Sequence, residues 1–129
     1  MENTAQNQRL PKVLAIDDDS VGLQILLDVL SANGFHGIGA QTGLLGLQLA
    51  KEQMPNLIIC DIHMPTMNGY EVLTRLRQDP VLERIPVIFL TAEQTDGARR
   101  RAFELGANDL LTKPFTIKKL IQVLKVQLA

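Results

Sequence analysis

Short runs of consecutive apolar residues punctuate this chain, and each gives way abruptly to a polar residue. Val13-Leu14-Ala15-Ile16 stops at Asp17-Asp18-Asp19, Leu57-Ile58-Ile59-Cys60 runs into Asp61, and Val87-Ile88-Phe89-Leu90 runs into Thr91. Asp109-Leu110-Leu111 is a shorter run followed by Lys113-Pro114. Runs of this length, apolar on successive positions, predict strands buried on both faces. A weaker strand is predicted over 35–40, softened by Gly37 and Gly39. Between these runs the apolar spacing becomes helical. Ser20 is placed to cap a first helix whose apolar residues include Val21, Leu26, Leu27 and Leu30, with Gly34 as its stop. Thr42 is placed to cap a second, with Leu44, Leu45, Leu47 and Leu49. A loop over 64–69 leads to a third helix near 70–78, and a fourth near 98–105 stops at Gly106. Thr116 caps the last, where Ile117, Leu120, Ile121, Leu124 and Leu128 share a face.

Five strands alternating with five helices predict a parallel sheet built by right-handed crossovers. The expected fold is α/β, a single doubly wound five-stranded parallel sheet in the order 2-1-3-4-5, with helices on both faces. Residues 1–10 read as a loose tail and residues 11–129 as one domain. Open sheets of this kind bind ligands beyond the carboxyl ends of the strands, where the strand order reverses between the first and third strands. Those strands end on Asp17-Asp18 and Asp61, the fourth ends on Thr91, and Lys113 follows the fifth. The residues with chemical use therefore gather on one rim.

Composition narrows the function classes. The 129 residues suit one hydrophobic core, and 46% apolar with 21% charged residues is a globular balance. A net charge of −1 recruits neither nucleic acid nor an anionic membrane, and Arg99-Arg100-Arg101 reads as a solvated helix face. Cys60 is the only cysteine, which excludes an intramolecular disulfide and suits a reducing interior. The first nine residues lack the apolar stretch of a signal peptide, and no segment approaches the ~20 apolar residues of a membrane helix. A cytoplasmic location is expected.

Three carboxylates at close quarters repel one another unless a cation intervenes. A hard divalent ion, Mg²⁺, suits a site with few carboxylates, waters and a phosphoryl oxygen. Asp61 is then a candidate nucleophile toward phosphorus, giving an acyl phosphate. The Thr91 hydroxyl and the Lys113 ammonium are candidates to bind the phosphoryl oxygens.

With these residues in place, the chain resembles the response-regulator receiver family over 12–129. Four segments carry the resemblance in order: Ile16-Asp17-Asp18, Asp61-Ile62-His63-Met64-Pro65-Thr66-Met67-Asn68-Gly69, Leu90-Thr91-Ala92 and Lys113-Pro114-Phe115. The resemblance implies a phosphoryl acceptor and switch rather than an enzyme acting on other substrates. It implies phosphorylation of Asp61 and Mg²⁺ held by Asp17, Asp18, Asp61 and the His63 backbone carbonyl. It also implies phosphoryl binding by Thr91, the Ala92 backbone and Lys113, and a cis Lys113-Pro114 bond. Its switch positions are Thr91 and residue 110, and its positions tuning dephosphorylation are His63 and Glu93. The implied partners are a histidine kinase or phosphotransfer protein, and a downstream protein target on the face of the fourth helix, fifth strand and fifth helix.

One position departs from the pattern. The family carries an aromatic three residues before the lysine, and here that residue is Leu110. This leaves the phosphorylation chemistry in place and questions the usual output mechanism, so a receiver acting as a phosphorylation-independent binding module is the competing reading. Other classes fit less well. Flavin phosphate would be repelled by Asp17-Asp18-Asp19, no G-x-x-x-x-G-K-[ST] loop is present, and a haloacid-type phosphatase has an acid where this chain has His63. Ala129 falls within or just after the last helix, which fits either a stand-alone regulator or a piece of a longer protein.

Overall fold

The computed structural model describes residues 10–129 apart from Gln94. The tail expected over 1–10 therefore lies, Leu10 apart, outside the described residues. The chain alternates β1 (Lys12–Ile16), α1 (Ser20–Ala32), β2 (His36–Ala40), α2 (Gly43–Gln53), β3 (Leu57–Asp61), α3 (Gly69–Gln78), β4 (Val87–Thr91), α4 (Asp96–Glu104), β5 (Asp109–Thr112) and α5 (Ile117–Leu128). The five strands form one parallel sheet in the order β2-β1-β3-β4-β5. All five residues of β3 and of β4 are buried, as strands covered on both faces must be.

Alternation along the strands divides the core in two. Leu14, Ile16, Ile58, Cys60, Phe89 and Leu110 face α2, α3 and α4, while Val13, Ala15, Leu57, Ile59, Ile88 and Leu111 face α1 and α5. Among the described residues no helix is long and apolar enough to cross a membrane.

Several local expectations are corrected. Asp19, not Ser20, caps α1: its side chain accepts the Val21 N–H, and Ser20 is already helical. Val21 consequently points outward and is 67% exposed, while Leu23, Leu26 and Leu30 fill the core side. In α2 the four leucines do not share one packed face: Leu47 and Leu49 lie partly buried against the core. Leu44 and Leu45 are exposed, and the helix buries Gly43, Gly46 and Ala50 instead. It lies so close to the sheet that a Cβ at Gly46 would overlap the side chain of Ile16. Small residues on the inner face decide its orientation, and apolar content alone misplaces it. Ile117, the first residue of α5, is also exposed, and the buried stripe begins at Leu120.

Candidate functional site

Each polar residue of the rim is set by the end of a strand. The Asp17 N–H donates to the Ala40 carbonyl (3.0 Å), which extends the β1–β2 ladder by one residue and fixes Asp17 at the sheet's end. One Asp17 oxygen accepts the Asp19 N–H (3.0 Å), so the turn into α1 is folded around that carboxylate. Asp61 is the last residue of β3, and the Ile62 N–H continues the ladder to the Leu90 carbonyl (3.1 Å). Thr91 is fully buried at the end of β4, and its hydroxyl accepts the Glu93 N–H at 3.1 Å. The Lys113 N–H donates to the Thr91 carbonyl (2.7 Å), which carries the lysine back toward the rim, and the Lys113-Pro114 bond is cis as expected.

These elements bring the expected groups together. Oxygens of Asp17, Asp18 and Asp61 lie within 4.8 Å of one another. Asp17 and Asp61 are buried, and Asp18 faces solvent. The Lys113 ammonium stands 3.6 Å from an Asp61 oxygen and 3.9 Å from an Asp17 oxygen. Burial raises the Asp61 carboxyl above its ordinary range; Lys113 pulls it back, and Asp17 and Asp18 push it further up. One cation facing three carboxylates leaves a surplus of negative charge. The donor set is all oxygen, which fits a hard divalent cation such as Mg²⁺.

The same imbalance has a consequence for stability. Folded Asp61 holds its proton more tightly than unfolded Asp61, so its contribution is most favourable in acid. It is lost as pH rises from the ordinary carboxylate range through the raised value. Asp61→Asn removes the charge, and this variant is expected to melt at a higher temperature than the natural chain at neutral pH in EDTA. The gain should shrink as pH falls through that window, which thermal melts at a series of pH values will check.

The remaining positions fall around this centre. The His63 ring is exposed, and its Nε2 meets a Glu93 oxygen at 2.7 Å, joining the loop after β3 to the loop after β4. Sequence placed these two residues near the site but not in contact with each other. Ala92 is exposed beside Thr91. Leu110 is buried and lies in register with Phe89, two residues before Thr91. Met64 is buried in the core, and Met67 packs against it.

Cys60 is buried with its thiol pushed far above the usual range, first by burial and then by Asp61 and Asp17, so it is an inert core residue. Sequence reading overlooked Tyr70. It is the second residue of α3, packs edge-on against Phe89 and carries the Arg101 guanidinium over its ring. An aromatic immediately after the Asn68-Gly69 cap was the available signal.

A sequence profile of the response regulator receiver domain matches residues 13–125. The chain belongs to the response regulator receiver family. It is 33% identical over 117 residues to the polar-differentiation response regulator DivK of Brucella anthropi, an alignment covering 90% of this chain and 95% of that one. Among solved structures, a Chloroflexus aurantiacus chain assigned as a response regulator superposes with a TM-score of 0.88 at 34% identity, covering 93% of this receiver and 98% of its counterpart. The Vibrio cholerae chemotaxis protein CheY4 superposes with a TM-score of 0.86 at 29% identity, covering 91% and 98%. The five-stranded sheet in the order 2-1-3-4-5 is thus that of known receivers, which are signalling domains of two-component systems.

Proposed function

We propose that this receiver accepts a phosphoryl group on Asp61 from the phosphohistidine of a histidine kinase or phosphotransfer protein. An Asp61 oxygen forms the new bond to phosphorus. The N–P bond breaks with its electron pair left on the imidazole nitrogen, which then takes a proton. The observation that carries this reading is the buried Asp61 carboxylate, 3.6 Å from the Lys113 ammonium and clustered with Asp17 and Asp18. Asp17, Asp18, Asp61 and the His63 backbone carbonyl would hold Mg²⁺, whose charge offsets that of the phosphoryl oxygens. Lys113, Thr91 and the Ala92 backbone N–H bind those oxygens. The chain catalyses only its own phosphorylation and dephosphorylation. Incubation with acetyl phosphate and Mg²⁺ should add one base-labile phosphoryl group per chain, and EDTA should prevent it. A chain that stays unlabelled with Mg²⁺ present overturns the reading.

The phosphoryl group then acts on a downstream protein through the face made by α4, β5 and α5. Thr91 and residue 110 are the switch positions on this reading, with Leu110 offering less surface and no hydroxyl. Coupling through that position therefore lies at the low end of the ~1–3 kcal/mol typical of such switches.

His63 and Glu93 control the lifetime of the acyl phosphate. Their contact at 2.7 Å limits where water can approach. His63→Ala or Glu93→Ala should speed loss of the label about tenfold, equivalent to ~1.4 kcal/mol of barrier. A decay rate unaltered in both variants would show that the pair does not control access.

A further inference from the structure

α4 is the most thinly anchored helix of this receiver. Its nine residues bury only Ala98 and Ala102, whereas α3 buries Tyr70, Val72, Leu73 and Leu76. A cavity of about 470 Å³ separates the first turns of α3 and α4, lined by His63, Tyr70, Glu93, Thr95, Ala98 and Arg101 among others. Gly97 has no atom within 4 Å of where a Cβ would stand, so the first turn of α4 has room to move. Among the described residues, two side-chain pairs bridge this gap. One is the His63–Glu93 pair. The other is the Arg101 guanidinium, whose carbon sits 4.2 Å from the centroid of the Tyr70 ring. Among the described residues no carboxylate lies within 4 Å of that guanidinium, so the ring is its counterpart.

Both contacts begin beside the phosphoryl site. Tyr70 meets Phe89 edge to face, with centroids 5.6 Å apart and planes at 77°. Phe89 is fully buried and precedes Thr91 by two residues, so the two side chains leave β4 on the same side. Phe89 is also the register partner of Leu110. A connected line of side chains therefore runs from β4 below Thr91, through Tyr70 on α3, to Arg101 on α4. The position that lacks an aromatic, Leu110, touches the inner end of this line. The Glu93 charge also acts on the Tyr70 hydroxyl, raising its proton affinity after burial does so.

We infer that Tyr70 is the positioning residue that sets where α4 sits, so that the phosphoryl site acts on α4 through the Tyr70–Arg101 contact rather than through residue 110. This rests on the phosphoacceptor reading for its trigger, but the contact itself can be tested without any phosphoryl donor. In the full chain, amide hydrogen exchange over 98–104 should speed at least tenfold in Tyr70→Leu and in Arg101→Gln, while β4 amides stay protected. Tyr70→Phe keeps the ring face and should exchange as the natural chain does.

Beryllofluoride with Mg²⁺ should shift the α4 amide resonances of the natural chain and of Tyr70→Phe. In Tyr70→Leu the shifts should fall to less than half, although acetyl phosphate still labels Asp61. A Tyr70 that merely fills space would lower the melting temperature and leave the α4 response intact. That result, or unaltered exchange in both variants, overturns the inference. Failure of acetyl phosphate to label the natural chain would instead overturn the phosphoacceptor reading, with the exchange measurements still deciding the role of Tyr70.

Discussion

Asp61→Asn is expected to leave no phosphoryl group on the protein after incubation with acetyl phosphate and Mg²⁺. An amide oxygen carries no full negative charge and cannot form a stable acyl phosphate, so the reaction should fall by at least about a thousandfold, or ~4 kcal/mol of barrier. The neighbours cannot take over. Asp17 is engaged by the Asp19 N–H and Lys113, and Asp18 faces solvent. The loss cannot be blamed on unfolding either, because removing a buried charge with raised proton affinity should strengthen the fold. Intact mass spectrometry reads the label and a thermal melt reads the fold in the same sample. A labelled Asp61→Asn chain would mean that another residue is the nucleophile.

The second large effect is structural and lies directly beneath Asp61. Gly69 opens α3, its N–H donating to the Ile62 carbonyl at 2.8 Å. A Cβ there would stand 2.6 Å from the Asp61 carbonyl oxygen, 2.9 Å from Ile62 Cα and 3.1 Å from the Phe89 ring. Two of those three atoms are backbone and cannot turn aside. Gly69→Ala must therefore push α3 away from the end of β3, straining the Asn68–Glu71 capping box and the loop that carries His63. The expected cost is about 3 kcal/mol, the upper part of the overpacking range, with slower phosphorylation as Asp61 shifts. Gly97→Ala is the control. Its Cβ meets nothing within 4 Å, so it should gain up to ~1 kcal/mol from helix propensity. Urea titrations of the two variants should move in opposite directions.

Sequence pattern was a good guide wherever one residue type has one use. Apolar runs of four residues, leading into Asp61 and Thr91 and alternating with helical spacing, fit strands buried on both faces of a parallel sheet. Carboxylates at two neighbouring strand ends then had to meet, and their oxygens do lie within 4.8 Å. The pattern misled where packing depends on what is missing. Nothing in the leucines of α2 reveals that Gly43 and Gly46 let the backbone close on Val72 and Ile16, and so turn Leu44 outward. Contacts between distant loops were equally hidden. His63 and Glu93 are thirty residues apart, and Tyr70 and Arg101 thirty-one. Periodicity carries no information about such pairs.

Arg77 belongs with them. Its guanidinium is held by the carbonyls of Glu83, Ile85 and Gly106 and by the Asn108 side chain, and burial lowers its proton affinity. It ties the end of α3 to the loops that lead into β4 and β5. Only the three-dimensional return of those loops discloses the role.

The single cysteine turns the middle of the sheet into a clock. Cys60 is 0% exposed in β3, next to Asp61 and covered on both faces. Small local openings of loops or helix ends do not reach it. A thiol reagent can find this residue only when the central strand itself comes free, so the rate of labelling in ordinary buffer counts those rare events without denaturant. Anything that binds the neighbouring carboxylates in the closed form slows the count by the factor 1 + [L]/Kd. One buried sulfur thus gives access to the occupancy of the adjoining site and to the opening of the whole sheet, through a reaction that takes no part in either.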